Sequence, residues 1–222
     1  MRTFDEIYEI VVERKGDVEA LLDTRSSAKS VAELTAIPDD RWLSAMTRCV
    51  FQAGFNWKVV DHMWPGFEAA FEGFDIGHCM MLNDEELGRL VSDKRIVRHG
   101  QKIRSVQDNA AFVHQLATEH GSAGAFFATW PGDDFANLLT LLKKRGSRLG
   151  GNSGPYFLRS MGVDGYILSR DVTARLIAEG VVDKTPTSQK DLAAVQTAFN
   201  TWQEQSGRSL TKISQVLALS VG

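Results

Sequence analysis

Apolar side chains recur at three- and four-residue steps along nearly the whole chain, and this spacing limits the fold more than any other feature. Ile103, Val106, Ala110, Val113 and Ala117 form one stripe, and Phe135, Leu138, Leu139 and Leu142 form another. A helix turns once every 3.6 residues, so each set falls on one side of a helix. Phe4, Ile7, Tyr8, Val11 and Val12 begin the pattern before Gly16; Leu192, Val195, Phe199 and Trp202 continue it before Gly207; Leu210, Ile213, Val216 and Leu217 close it. Strand-type alternation is almost absent. The spacing predicts an all-α protein, a string of roughly ten helices with short connections.

Punctuation agrees with that reading. Asn83 with Glu86 three residues later makes a capping-box pattern, and Pro186, Thr187 and Ser188 mark a break and a new cap. Pro38-Asp39-Asp40 precedes a run carrying Trp42, Ala45, Met46, Cys49 and Val50, so Asp39 or Asp40 is expected to cap that helix.

The stretch from Leu142 to Val172 carries the chemistry. Lys143, Lys144, Arg145 and Arg148 lead into a turn holding Gly150, Gly151, Asn152, Ser153 and Gly154, with Pro155 expected to open the next helix. Glycines let a backbone approach a ligand with its amides facing an anion, and basic residues beside such a turn suit phosphate. An ordinary helix-to-helix turn would also use such glycines, and basic residues at a helix end also complement its dipole. One acid, Asp171, comes later, between Arg170 and Val172; at the start of a helix it could serve as a cap.

The balance of 25 Lys and Arg against 28 Asp and Glu gives a net charge of −3, so a nucleic-acid site must be a local patch. Cys49 and Cys79 stand alone, which suggests neither a disulfide framework nor a CxxC metal site. His62, His78, His114 and His120 show no metal-ligand spacing. No signal-like segment opens the chain and no run reaches about 18 apolar residues, so a cytoplasmic protein away from membranes is expected.

Four segments in order resemble the 3-methyladenine DNA glycosylase I family. Phe51-Gln52-Ala53-Gly54-Phe55-Asn56-Trp57 is similar to its Gln-Ala-Gly-x-Ser-Trp segment. Phe71 to Asp75 with Asp84 to Val91 resembles the next part of the family pattern. Ile96-Val97-Arg98-His99-Gly100-Gln101-Lys102-Ile103 resembles its Ile-Ile-Arg-His-x-x-Lys-Ile, and Leu142-Lys143-Lys144-Arg145-Gly146 matches its Leu-Lys-Lys-Arg-Gly. The family belongs to the helix-hairpin-helix DNA glycosylase superfamily. The resemblance therefore implies a two-lobed helical fold, with residues 1–40 plus 170–222 as one lobe and 41–169 as the hairpin lobe. It also implies excision of a damaged base flipped out of duplex DNA in base-excision repair.

The chain departs from the family at several points, among them a shorter loop before the Lys-Lys-Arg helix. It has neither the N-terminal segment with Cys, Tyr and His nor the C-terminal His and Cys ligands, so no structural zinc is expected. Cys49 stands where the family has its pocket glutamate. Beyond Val163, Asp171 with Arg175 resembles the wider superfamily, in which an aspartate follows the hairpin at about this separation. A monovalent cation on the hairpin carbonyls is a further implication.

Residue roles follow from the resemblance. Cleaving an N-glycosidic bond builds positive charge on the sugar, which a carboxylate stabilises; Asp171 takes that part. Phe55 stands at the apolar plug and is expected to wedge into the duplex. Trp57 aligns with a pocket tryptophan and could stack on a cationic base, while Gln52 could read a base edge. For each aromatic, Tyr8, Trp42, Trp64 and Trp130 included, core packing is the rival account. Asn152, Tyr156 and Phe157 occupy the region where a bifunctional lyase carries its lysine, which points to a monofunctional enzyme. The expected activity is hydrolysis of an alkylated purine such as 3-methyladenine from double-stranded DNA by a monomer with no required cofactor. A glycosylase for another damaged base and a DNA-structure-binding protein without catalysis are the alternatives.

Overall fold

The computed structural model describes residues 1–221. Their helices, in order, are α1 (Phe4–Lys15), α2 (Val18–Asp23), α3 (Val31–Thr35), α4 (Asp39–Gln52), α5 (Trp57–His62), α6 (Trp64–Ala70), α7 (Ile76–Met80), α8 (Asp84–Ser92), α9 (Gly100–His120), α10 (Ala123–Thr129), α11 (Phe135–Arg145), α12 (Ser153–Met161), α13 (Arg170–Ala178), α14 (Gln189–Ser206) and α15 (Leu210–Leu219). Two 3-10 turns join them, and the described residues contain no strand. The all-α class is as expected, with more helices than roughly ten. Helices α3, α5, α6, α7 and α10 have only five to seven residues, too few to display a full stripe.

Local chemistry starts and stops these helices. Asn83 and Glu86 form the expected capping box on α8, and Ser188 with Asp191 does the same on α14. Gly207 ends α14 in the left-handed conformation, at φ 66°. Two expectations need correction. Neither Asp39 nor Asp40 caps α4, which starts directly after Pro38 without a side-chain cap. The Asp39 carboxylate instead accepts the Ala123 amide at 2.9 Å, at the start of α10. Helix α12 begins at Ser153, so Pro155 is its third residue; the N–H it lacks would have had no intrahelical partner there.

The chain divides into two compact units: Met1–Lys29, Trp130–Leu138 and Leu158–Gly222 in one, Ser30–Thr129 and Leu139–Phe157 in the other. Relative to the expected lobes, residues 30–40 go with the hairpin and residues 130–138 and 158–169 leave it. The reason is close packing. A Cβ on Gly124 of α10 would lie 2.5 Å from the Leu34 carbonyl of α3. Phe135 packs edge-on against Tyr166 at 4.9 Å, and the Asp164 carboxylate accepts the Leu210 and Thr211 amides at 3.0 and 2.8 Å.

In the first unit the core is built on Tyr166, stacked on Phe199 at 4.3 Å, with Trp202 edge-on to Phe199. Tyr166 donates to Gln196, and burial pushes its hydroxyl pKa up. In the second unit α9 is the central helix, burying Ile103, Val106, Ala110, Val113 and Leu116. Trp42 of α4 is fully buried and stacks on Phe127 at 4.8 Å. Each such side chain contributes about 1.5–3 kcal/mol through removal from water.

Candidate functional site

Helix α4 delivers Cys49 and Gln52 to its C-terminal end. Cys49 is buried, while Gln52 is half-buried and its Nε2 donates to Asp61 Oδ1 at 3.0 Å. Gly54, at φ 83°, then turns the chain in a conformation costly for other residues. Beyond the turn Phe55 and Trp57 are 38% and 50% exposed, so the core account fails for both. Trp57 opens α5, whose amide at Lys58 is capped by Asn56. Its ring meets Tyr156, from the helix after the hairpin, at 5.6 Å and 89°. The other candidate aromatics have structural partners. Trp42 is core, Trp64 donates to Glu68 at 3.0 Å, Trp130 donates to the Asp134 carbonyl at 3.0 Å, and Tyr8 donates to Glu19 at 2.7 Å.

The hairpin between α11 and α12 lies in the same unit as Trp57. Leu149 is buried between the two helices, and both approach it through glycine. A Cβ on Gly146 would lie 2.6 Å from the Leu149 side chain, and one on Gly154 2.6 Å from the Leu149 carbonyl. Gly151 has φ 59°, and Arg148 adopts φ 62° despite its side chain. The amides of Gly150, Gly151 and Asn152 donate to no described residue. Asn109, fully buried on α9, grips the hairpin from behind by accepting the Ser147 amide at 2.8 Å and donating to the Ser147 carbonyl at 3.0 Å.

The four basic side chains differ in availability. Lys143 and Lys144 are exposed and make no ion pair with described residues. Arg145 pairs with Glu119 at 3.5 Å and lies over the Phe112 ring at 5.3 Å. Arg148 donates to Gln101 in the first turn of α9.

Lys102 is the residue whose role sequence reasoning missed; the motif around it was visible, but its partner was not. Its side chain is buried and reaches the end of α4, where Nζ donates to the carbonyls of Val50 at 2.8 Å, Phe51 at 3.4 Å and Ala53 at 2.5 Å. The same nitrogen stands 4.5 Å from the Phe55 ring centroid. Burial, with a smaller effect of Arg148, lowers its pKa below the usual lysine value. Beside it His99 caps α9 by accepting the Lys102 amide, which leaves the imidazole a structural job.

Asp171 belongs to the first unit, in the first turn of α13. It is not the cap. Ser169 holds that position and accepts the Val172 amide at 3.2 Å. The Asp171 carboxylate is half-buried and has no hydrogen-bond or ion-pair partner among the described residues. Arg175 turns away to Ser220 at 2.8 Å and Glu179 at 3.2 Å, a buried network that ties down the chain ends with Arg2. No group of three or more His, Cys, Asp or Glu side chains able to hold a metal occurs among the described residues. None of their helices is long and apolar enough to cross a membrane.

Known proteins share parts of this arrangement. DNA-3-methyladenine glycosylase 1 of Escherichia coli (strain K12) is 34% identical over 65 residues, 29% of this chain and 35% of that protein. The chain thus spans about a third of the length of that curated relative. 3-Methyladenine DNA glycosylase I from Staphylococcus aureus is similar in structure, with a TM-score of 0.53 and 19% identity, covering 67% of this chain and 87% of that one. The Methanocaldococcus jannaschii 8-oxoguanine glycosylase/lyase, solved with a 15mer DNA containing 8-oxoguanine, covers 96% of this chain and 95% of its own, with a TM-score of 0.54 and 15% identity. At such identities the structural likenesses speak for the fold, that of all-α DNA glycosylases. The family profile described as methyladenine glycosylase matches residues 36–147, the segment that carries Cys49 through Trp57, Lys102 and the basic end of α11. That match spans just over half of the 222 residues, and the chain belongs to the methyladenine glycosylase family.

Proposed function

We propose that the protein is a monofunctional DNA glycosylase of base-excision repair, hydrolysing the N-glycosidic bond of a flipped-out alkylated purine such as 3-methyladenine in double-stranded DNA. The observation that carries this reading is the half-exposed Trp57 paired edge-on with Tyr156 of the helix that follows the hairpin. An aromatic ring half in water, edge-on to a second ring, offers an open face on which a planar ligand can stack. An extruded base is such a ligand.

Each group then has a task. The amides of Gly150, Gly151, Asn152, Ser153 and Gly154 at the start of α12 receive a DNA phosphate, helped by the helix dipole. Lys143 and Lys144 add charge along the backbone, with Arg145 and Arg148 flanking them. Phe55 fills the gap left in the duplex, repaying part of the unstacking cost. A purine nucleotide methylated on ring nitrogen N3 carries positive charge, so the Trp57 face attracts it more than an undamaged base. Gln52 donates one amide hydrogen to Asp61, which orients the side chain and leaves its carbonyl oxygen to accept from an exocyclic amine. Cys49, in place of the family's glutamate, gives the pocket floor no carboxylate of its own.

Asp171 is the carboxylate proposed for the reaction, as the resemblance to the wider superfamily implies. As the glycosidic bond breaks, charge accumulates on the sugar, and an ionised carboxylate stabilises it or orients the attacking water. Its lack of a protein partner supports this role, since no ion pair has to be broken first. Tyr156, where a lyase would carry an amine, cannot form a Schiff base, so water is the nucleophile. The Leu149 and Gly150 carbonyls accept no hydrogen bond from described residues, a donor set that fits a monovalent ion. Such an ion would add positive charge at the phosphate-binding turn.

Single-turnover excision across duplexes bearing methylated, deaminated and oxidised bases tests the reading. Release of 3-methyladenine ahead of neutral lesions is expected. Release of only a neutral lesion would move the assignment to another base, and binding without release across the panel would leave a DNA-structure-binding protein.

A further inference from the structure

Lys102 sits where its own helix disfavours it. It is the third residue of α9, at the positive end of the dipole, in a first turn with no acidic residue. Its ammonium is buried, and burial lowers its pKa. Helix α4, for its part, has no basic residue in its last turn, so its C-terminal carbonyls lack a local cation. The two deficits meet. One ammonium satisfies Val50, Phe51 and Ala53, and these residues lead directly into the Gly54 turn and Phe55. The ring of Phe55 rests over the same nitrogen at 4.5 Å, with His99 edge-on at 6.2 Å.

We propose that Lys102 is the positioning residue for the Phe55 wedge: by gathering the three carbonyls at the end of α4 and lying against the Phe55 ring, it holds residues 53–56 in the shape from which Phe55 enters the duplex. The proposal rests on the reading of Phe55 as the wedge. A loop of four residues turning at a glycine has many conformations, and fixing it beforehand removes that entropy from the insertion step. Lys102 acts through Phe55 and touches neither base nor sugar. This role also explains why the motif places a lysine at an unfavourable helical position.

The test uses a duplex with a tetrahydrofuran abasic-site analogue and an adjacent 2-aminopurine, whose fluorescence rises when a wedge unstacks it. Phe55→Ala should remove the rise. Lys102→Met and Lys102→Gln should slow it by about ten-fold or more, the scale of losing charge-assisted hydrogen bonds, while leaving affinity for undamaged duplex unchanged. Lys102→Arg, which keeps the charge, should restore most of it. A normal rise in the charge-free variants alongside a lost rise in Phe55→Ala overturns the role of Lys102. A normal rise in Phe55→Ala overturns the wedge reading instead. Should the charge-free variants fail to fold, the wild-type protein carries the test. The Lys102 ε-methylene protons should be shifted upfield by the Phe55 ring and return to their ordinary position in Phe55→Leu. Unshifted protons in the wild type overturn the proposal.

Discussion

Asn109 and Ser147, 38 positions apart, exchange a pair of hydrogen bonds, with the Asn109 amide donating to the Ser147 carbonyl at 3.0 Å and its oxygen accepting the Ser147 amide at 2.8 Å. This makes the central helix α9 the fixed support of the hairpin. Truncating Asn109 would leave two main-chain groups unpaired. Asn109→Ala is therefore expected to lose about 2–3 kcal/mol of stability in urea unfolding. Duplex binding should weaken as well, because the hairpin amides are no longer held; undiminished binding by this variant would argue against the hairpin as the phosphate site.

The glycines around Leu149 are required for space. With a Cβ placed 2.6 Å from the Leu149 carbonyl, Gly154→Ala must displace the hairpin backbone, at a cost of about 1–3 kcal/mol. Gly150→Ala has only the flexible Lys143 side chain in its way, at 3.3 Å, and should be tolerated far better. Thermal melts of the two variants, compared side by side, give the ranking.

Asp171 and Ser169 separate catalysis from capping. Ser169→Ala removes the cap of α13 and should cost about 1 kcal/mol of stability. Asp171→Asn should leave stability and DNA affinity close to wild type but slow single-turnover excision by about a hundred-fold or more. Excision at the wild-type rate in Asp171→Asn would remove that residue from the mechanism.

Trp57 is half in water, so little packing is lost on truncation. Trp57→Ala should change the unfolding free energy by no more than about 0.5 kcal/mol, as for a surface site. Excision of a cationic base should fall more than excision of a neutral one, because the attraction of the ring for charge is lost. A parallel rate comparison on a methylated and a deaminated purine measures the difference.

Glu68 gathers three side-chain donors in the second unit. Burial opposes its charge, but hydrogen bonds from Arg41, Ser44 and Trp64 outweigh this and hold the carboxyl below the ordinary 4.5. The native state thus binds fewer protons than the unfolded chain just below pH 4.5, so this contribution is complete above that pH and disappears as pH falls through the lowered value. Glu68→Gln should be less stable than wild type at pH 7, and the gap should close in acid, as urea titrations at pH 7 and pH 3 will show.

Spacing alone determined that this chain is helical, and it located the capping box at Asn83, the break at Ser188 and the hairpin with its basic approach, because each rests on residues within about four positions of one another. The motifs from Gln52 to Trp57 and from Arg98 to Ile103 were likewise legible as a family resemblance. What Lys102 and Asn109 do was not, since their partners lie about 50 and 38 positions away and no local pattern encodes a meeting between distant helices. Asp39, chosen as a cap by its place after Pro38, serves α10 instead, because a free carboxylate goes to whichever unsatisfied amide the fold brings near. Short helices escaped notice for want of a full stripe. Only the tertiary structure could decide that Trp57 stands half in water against Tyr156, because an aromatic residue has the same local signature whether burial or a ligand is to cover it.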